Sequence, residues 1–408
     1  MTSRNVKFGL NSLFSASATR WYFTGLLILL STTPALAADN SAVLAKGRRA
    51  YEQNDFKTAL QSLKPLAEAG NADAQDLMGE MYLWGRGLPR DWVQAVKWFR
   101  FAAQQGNAEA QCELGAAYGA GLGVTRNDAQ AVVWERKSAE QGYAGCMCGL
   151  GEDYEAGRGV DQDYRAAVKW YKLATETSGG CHVQLGEMFH WGHGVQRDYD
   201  KAASLIKLAV EKQEPAARLH LAQMYKEGHG VPEDFSEAAK LYKEDVEWSS
   251  TAQVNLGNLY LNGKGVPQDY TEALKLFRKA AEGNDPVAQM KMGLMYEAGY
   301  GIPKDVTEAL KWYRRAADQG DVDSQETLGL AYYFGDGCAQ DYVSAHMWLN
   351  LAAASGNENA LKMREIVARK MTTEQIAEAQ GLARAWKPHL SPDPIPKRNY
   401  NMNLGKAH

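Results

Sequence analysis

Small and apolar residues recur at helical spacing along nearly the whole chain, and the pattern itself repeats every 35 or 36 residues. One half of the repeat places apolar or small residues at offsets of 4, 5 and 8 from an alanine, which traces one face of a helix. Its columns are represented by Ala110, Leu114, Gly115 and Tyr118, and again by Ala288, Met292, Gly293 and Tyr296. The pattern therefore predicts a first helix in every repeat.

A glycine-rich loop and a second helix follow in each repeat. The first glycine of a Gly-x-Gly loop stands at positions 85, 121, 157, 192, 228, 263, 299 and 335. A residue type that caps helix N-termini comes six positions later, namely Asp91, Asn127, Asp163, Asp198, Asp234, Asp269, Asp305 and Asp341. Since glycine suits the left-handed end of a helix and these side chains accept from first-turn N–H groups, the loop predicts a helix end and a helix start.

A glycine recurs inside the first helix, as in Gly79, Gly115 and Gly151, with Ala222 as an exception. A mid-helix glycine costs about 1 kcal/mol relative to alanine, so some contact has to offset that cost. We expect the backbones of the paired helices to approach closely at this column.

Two segments carry a family resemblance. The sequences GNAEAQCELGAAYGAGLGV at 106–124 and GVPQDYTEALKLFRKAAEGN at 265–284 resemble the Sel1-like repeat, a branch of the tetratricopeptide superfamily. The similarity extends from about residue 39 to residue 387. It implies an all-α, right-handed superhelix of about nine stacked helix-turn-helix repeats that serves as a protein-binding scaffold.

The repeat boundaries predict a domain organisation with two atypical ends. Residues 38–70 form a degenerate N-terminal repeat without Gly-x-Gly, and residues 71–356 form eight regular repeats. Residues 357–387 are expected to be C-terminal capping helices. Four prolines after position 387 predict a flexible tail at 388–408.

The N-terminus is typical of an export signal. Basic residues at positions 4, 7 and 20 precede an apolar run at 21–30 and the small-residue site Ala35-Leu36-Ala37. Ten apolar residues are too few for a spanning helix, which needs about 20. We therefore expect removal of residues 1–37 and export, most simply to a periplasm, with a secreted or surface location as the alternative.

Charge excludes two classes of partner. The 408-residue chain has a formal net charge of −4, and removal of three basic residues with the leader makes it −7. Nucleic-acid and anionic-membrane binders need a concentrated positive surface, which this interleaved charge pattern does not provide.

Five cysteines stand at 112, 146, 148, 181 and 338. Cys146 and Cys181 occupy the alanine column of the first helix, which favours an interpretation as small core residues. The family's cysteine-rich members bridge that column to a cysteine seven residues earlier, but alanine stands at those positions here. A pair between neighbouring repeats among Cys112, Cys146, Cys148 and Cys181 stays open, and the odd count leaves at least one thiol over.

The histidines suggest a metal site that helix geometry argues against. His182 and His190 lie near opposite ends of one helix, about 12 Å apart. His193 and His229 hold equivalent loop positions one repeat apart, farther than ligand bonds of about 2 Å allow. We therefore predict no metal site, no cofactor and, without a catalytic motif, no enzymatic activity.

The solvent-facing positions of the first helices vary while the core columns repeat, and in this fold those helices line the concave groove. Bulky aromatics and acids at such positions are typical of partner-binding residues. The candidates are Trp84, Glu152, Glu187, Trp191, Glu227 and Phe334.

These observations predict an exported scaffold that binds a protein or peptide through its groove, as a periplasmic adaptor or regulator of envelope or polysaccharide functions. Two alternatives stay open. One is a hydrolase or a binder of small β-lactam-type ligands, as some cysteine-rich relatives are described to be. The other is a host-facing surface or virulence factor.

Overall fold

A computed structural model describes residues 34–177 and 180–389. All regular secondary structure in these residues is helical, which confirms the predicted all-α class and the paired-helix repeats. The helices are α1 (Pro34–Glu52), α2 (Phe56–Glu68), α3 (Ala72–Trp84), α4 (Trp92–Gln104), α5 (Ala108–Ala120), α6 (Asp128–Glu140), α7 (Ala144–Ala156), α8 (Tyr164–Glu176), α9 (His182–Trp191), α10 (Tyr199–Glu211), α11 (Ala217–Glu227), α12 (Phe235–Asp245), α13 (Ser250–Asn262), α14 (Tyr270–Glu282), α15 (Pro286–Ala298), α16 (Val306–Asp318), α17 (Val322–Phe334), α18 (Tyr342–Ala354), α19 (Glu358–Ala368) and α20 (Thr373–Ala385). Odd-numbered helices from α3 are the first helices of their repeats, and even-numbered ones the second.

The predicted helix boundaries are confirmed by the local geometry. Gly85 ends α3 with φ of 69°, and its N–H donates to the carbonyl of Met81. Asp91 begins α4 by accepting from the N–H groups of Val93 and Gln94 at 2.9 and 3.0 Å. The corresponding residues cap all the second helices from α6 to α18 in the same way. The loop therefore supplies local hydrogen-bond partners for free backbone groups at the end of one helix and at the start of the next.

In the loops after α9 and α11, the second glycine lies against the preceding repeat. A Cβ built on Gly230 would stand 1.9 Å from the carbonyl oxygen of Tyr199, the first residue of α10. On Gly194 it would stand 2.4 Å from the carbonyl oxygen of Tyr164, the first residue of α8. Close backbone approach thus explains these two glycines, and it seats both loops on the repeats before them.

The glycine inside the first helix has the predicted cause only in part. A Cβ on Gly115 would lie 3.1 Å from the carbonyl oxygen of Ala131, which is the expected close backbone approach. A Cβ on Gly151 would lie 2.4 Å from Cε1 of Tyr171, and one on Gly79 would lie 2.5 Å from the ring of Phe99. The expectation of close backbone approach is wrong at these positions. A large side chain of the second helix occupies the space that the glycine leaves.

The chain divides into two compact units, at residues 1–107 and 108–408. In the first unit, α1 to α4 enclose a core that includes Leu63, Met78 and Met81. In the second, α5 to α20 stack as successive pairs, and one core of buried residues continues from Cys112 to Leu276.

Two C-terminal helices pack on the last repeat. α19 packs against α17 and α18, and α20 packs against α18. The Trp386 ring meets Trp348 edge-on, with centroids 6.5 Å apart.

Two disulfides link neighbouring repeats. Cys112 of α5 is bonded to Cys146 of α7, and Cys148 of α7 is bonded to Cys181 at the start of α9, with Cα atoms 5.6 and 6.0 Å apart. All four cysteines are buried, which confirms the interpretation as small core residues. They are also bonded, and the alternative of pairs between neighbouring repeats, which the sequence left open, is what the structure contains. Cys338 is a free thiol.

An ion pair fixes the end of α12. This helix ends at Asp245, whose buried carboxylate accepts from Nε and Nη2 of Arg218 at 2.9 and 2.7 Å. Asp245 thus ties α12 to α11.

The predicted leader falls mainly on residues 1–33 and the predicted tail mainly on residues 390–408, which lie outside the described residues. In the described part of the chain, no helix combines the length and the apolarity needed to cross a membrane.

Candidate functional site

Three exposed aromatics stand at the same place in their repeats. Trp84, Trp191 and Phe334 have 43%, 63% and 62% of their surface exposed. Each is the last residue of a first helix, directly before the left-handed glycine of the loop. The chain turns away at that glycine, so the final side chain of the helix has no following turn to cover it.

Trp84 lies in the first compact unit, and Trp191 and Phe334 lie in the second, where they are four repeats apart and do not form one cluster. Phe334 packs edge-on against its neighbour Tyr333, with centroids 4.8 Å apart. Trp191 lines a cavity together with two of the predicted acidic residues.

The cavity lies between α9 and α11 and has a volume of about 280 Å³. We call it the groove pocket. Its floor contains Ile206 of α10 and Met224 of α11. Its polar and aromatic walls are Glu187, His190, Trp191, His220, Gln223 and Glu227.

The predicted acidic residues are less exposed than solvent-facing positions would be. Glu187 and Glu227 keep 36% and 34% of their side chains exposed, and both line the groove pocket. Glu152, one repeat earlier, keeps 19% and lies 3.7 Å from a guanidinium nitrogen of Arg158. Adjacent first helices cover much of each other's side face, so the sequence position alone overstates the exposure.

Burial perturbs the titratable groups of the groove pocket. Desolvation, with a contribution from the nearby carboxylate of Glu155, raises the pKa of Glu187 to about 7. Desolvation also lowers the pKa of His220, whose Nδ1 lies 3.4 Å from a carboxylate oxygen of Glu187. The pocket is therefore a place where removal of charges from water is costly and a matching partner charge would be favourable.

A second group of polar side chains adjoins the groove pocket. Oε2 of Glu227 lies 2.9 Å from Nδ1 of His229 and 4.0 Å from Nε2 of His190. The two imidazole rings have centroids 5.1 Å apart. His182, in contrast, is buried and pairs with Glu214.

The sequence analysis missed this group because it compared His190 with His182 and His193 with His229. The residues that come together are His190, the last-but-one residue of α9, and His229, in the loop after α11. The repeat spacing could have suggested this pair, since the loop after α11 is seated on the preceding repeat.

One exposed aromatic was also missed. Trp248 is 73% exposed in the connection between α12 and α13. This connection departs from the repeat pattern, so column-by-column comparison did not single it out.

The comparisons with known proteins agree on one family. The family model described as Sel1 repeat matches residues 72–107, 108–143, 144–176, 181–213, 215–244, 250–285, 286–321 and 322–357. No curated protein matches the chain significantly.

Two solved structures are similar over most of their length. One is a protective antigen present in uropathogenic Escherichia coli strains, described as displaying an SLR fold, with 29% identity, coverage of 86% of this chain and 92% of that one, and a TM-score of 0.50. The other is a Sel1 repeat protein from Oxalobacter formigenes, with 28% identity, coverage of 76% and 90%, and a TM-score of 0.56.

Proposed function

The chain belongs to the Sel1 repeat family, and from that premise we propose that it is an exported scaffold that binds a basic segment of a protein partner at the groove pocket. Sel1 repeat scaffolds commonly mediate protein–protein interactions. The observation that carries the proposal is the position of Trp191, which is exposed at the rim of a cavity that also contains two carboxylates. Exposed tryptophans beside a pocket are the residues that most often anchor a partner.

The size of the groove pocket favours a side chain over a small-molecule ligand. Pockets that enclose drug-sized ligands have about 300–1,000 Å³, and this one has about 280 Å³. An arginine or lysine side chain would lay its apolar stem on Ile206 and Met224 and bring its charge to the carboxylates. Glu187 would then regain in the complex the electrostatic stabilisation that burial removes.

A peptide library displayed against the tag-free protein tests this proposal. We expect selected peptides to contain Lys or Arg, and Trp191→Ala and Glu187→Lys to weaken their binding at least about 10-fold, the effect of losing an interface anchor. Because Trp191 is 63% exposed, Trp191→Ala should keep the helical content and melting temperature near the wild-type values. Binding by both variants is compared at a temperature where circular dichroism shows them folded.

Trp248→Ala is the matched control, since it removes an even more exposed tryptophan away from the pocket. Selection of acidic or neutral peptides would contradict the proposal. Normal binding by the two pocket variants would also contradict it, and would direct attention to the second helices.

Export is supported by the predicted leader and by the disulfides. Paired cysteines persist in oxidising compartments and are rare in the cytosol. A periplasmic adaptor or regulator of envelope or polysaccharide functions fits a scaffold in that location. Mass spectrometry of the processed protein should find Ala38 as the first residue, and an intact Met1 would contradict this part of the proposal.

A second candidate is a host-facing surface factor. The Escherichia coli protein of similar structure is described as a protective antigen, which favours a surface location for that relative. Protease digestion of intact cells separates the candidates, because a surface protein is cleaved and a periplasmic one is protected until the outer membrane is opened.

A further inference from the structure

Two imidazoles and a carboxylate converge from two adjacent repeats. His190 is the last-but-one residue of α9, Glu227 is the last residue of α11, and His229 lies in the loop that follows α11. One ligand atom from each side chain can be chosen so that all three lie within 4.8 Å of one another. We propose that these three residues form a binding site for a divalent transition-metal ion, with Zn²⁺ as its test probe.

The donor types fit such an ion. Imidazole nitrogen and carboxylate oxygen are ordinary Zn²⁺ ligands, and two histidines with one glutamate leave a fourth coordination position open. Imidazole donors also favour transition ions over Mg²⁺ and Ca²⁺, which prefer all-oxygen sites.

The spacing fits as well. With ligand bonds of about 2.0–2.2 Å, the ligand atoms of a tetrahedral ion stand about 3.4 Å apart. The two distances to Glu227 Oε2, 2.9 and 4.0 Å, lie on either side of that value. Side-chain rotations that move atoms by about 1 Å would complete the geometry, without movement of the helices.

The imidazoles are held in place by Tyr199. The His229 ring stacks on Tyr199 with centroids 4.2 Å apart and planes 8° apart. The His190 ring meets the same tyrosine edge-on at 5.2 Å. The backbone around His229 is fixed by Gly228 and Gly230, both with positive φ. Ligands held by packing in this way lose little freedom when an ion binds.

One donor atom is left unsatisfied. Nδ1 of His229 is buried and has no hydrogen-bond partner among the described residues. The oxygen of Glu227 at 2.9 Å is near enough, but it does not meet the angular requirements of a hydrogen bond. A buried nitrogen of this kind gains a partner when it coordinates an ion.

The preceding repeat supplies a natural comparison. His193 holds the equivalent loop position and stacks on Tyr164 with centroids 4.5 Å apart. Its repeat has Trp191 at the position of Glu227, and the preceding first helix has Glu155 at the position of His190. The loop histidine and its stacking are therefore retained where the other two ligands are missing.

The test is Zn²⁺ titration of the tag-free full chain after chelator treatment, in competition with a chromogenic chelator. A Cys338→Ser background removes the free thiol, which could bind zinc by itself. We expect one ion per chain in the parent protein. His190→Ala and His229→Ala should each weaken zinc binding by at least about 10-fold. Loss of a residue that only hydrogen-bonds to a metal ligand already lowers metal affinity by about 10–100-fold. His193→Ala should leave the affinity unchanged.

Two further measurements separate coordination from folding. Glu227→Gln changes only the donor at a helix end, and it should weaken zinc binding while circular dichroism stays unchanged. Co²⁺ should give the visible absorption of a tetrahedral site in the parent protein and not in His229→Ala.

Absence of saturable binding in the parent protein would overturn the proposal, and so would equal losses in His193→Ala and His229→Ala. The two proposals share Glu227, so variants of other residues separate them. With zinc removed by a chelator, Glu187→Lys should weaken peptide binding, and it should keep the zinc affinity because Glu187 is not one of the three ligands. His229→Ala should weaken zinc binding and keep peptide binding.

Discussion

Substitution of Gly151 by alanine should destabilise its repeat, although a glycine-to-alanine change inside a helix is usually stabilising. Alanine is favoured over glycine inside a helix by about 1 kcal/mol. At Gly151, however, the new Cβ would lie 2.4 Å from Cε1 of Tyr171. Ordinary contact begins near 3.4 Å, so the ring or the helix would have to move by about 1 Å.

Neither the ring nor the helix can move easily. Tyr171 is fully buried, and its hydroxyl donates to Glu155 at 2.7 Å. Helix α7 is tied to both neighbouring repeats, through Cys146 and Cys148. Overpacking of a tight core costs about 1–3 kcal/mol, which exceeds the gain in helix propensity. We expect a net loss of about 1 kcal/mol.

Gly381→Ala is the matched control. Gly381 lies inside α20, and a Cβ there would meet nothing within 4 Å. This variant should gain up to about 1 kcal/mol. Because repeat proteins need not unfold in one step, amide hydrogen exchange resolved for α7, α8 and α20 is the appropriate measurement, with thermal melting alongside. If Gly151→Ala protects α7 and α8 as much as Gly381→Ala protects α20, the packing argument is wrong.

Three other changes test separate features. Replacement of Cys112 and Cys146 by serine should cost about 3–4 kcal/mol, as expected for a loop closed over 34 residues, whereas Cys338→Ser should leave the melting temperature unchanged. Ala216→Gly should stabilise α11 by about 1 kcal/mol, because Ala216 has φ of 60° and no side-chain cap, and slower hydrogen exchange in α11 would show it. Glu187→Gln should reduce the fall in melting temperature between pH 5 and pH 8. The pKa of Glu187 is about 7 in the folded protein and lower in the unfolded chain, so ionisation of this carboxyl lowers the free energy of unfolding as the pH rises between the two values. An unchanged pH profile of the melting temperature would contradict this reasoning.

Features that depend on a few consecutive residues were predictable from the sequence. The caps of the second helices and the left-handed glycines at the ends of the first helices were both confirmed, because each involves backbone and side chains within one turn. The paired-helix repeat followed from them, since eight copies of the same signals leave little choice of secondary structure.

Features that depend on contacts between helices, within one repeat or between repeats, were not predictable. The ring opposite Gly151 comes from a residue 20 positions later, and the disulfide partner of Cys112 lies 34 positions later. The predicted acidic residues were assigned to solvent, although the neighbouring first helix half-buries Glu187. In each instance the sequence identifies the position of the residue within the repeat. The lateral offset between adjacent helices decides which side chain it contacts.

The same offset explains how a variable position can acquire a function without loss of the fold. In three loops the middle residue of Gly-x-Gly stacks on an aromatic residue that begins the second helix of the preceding repeat. The pairs are His193 on Tyr164, His229 on Tyr199 and Tyr300 on Tyr270. The two flanking glycines fix this position, so its side chain is free to vary while its direction stays constant. Histidine at position 229 changes only the chemistry presented there, and the end of the preceding first helix supplies the complementary group at His190. A repeat array with constant loops thus provides several equivalent positions at which single substitutions create a site between two repeats.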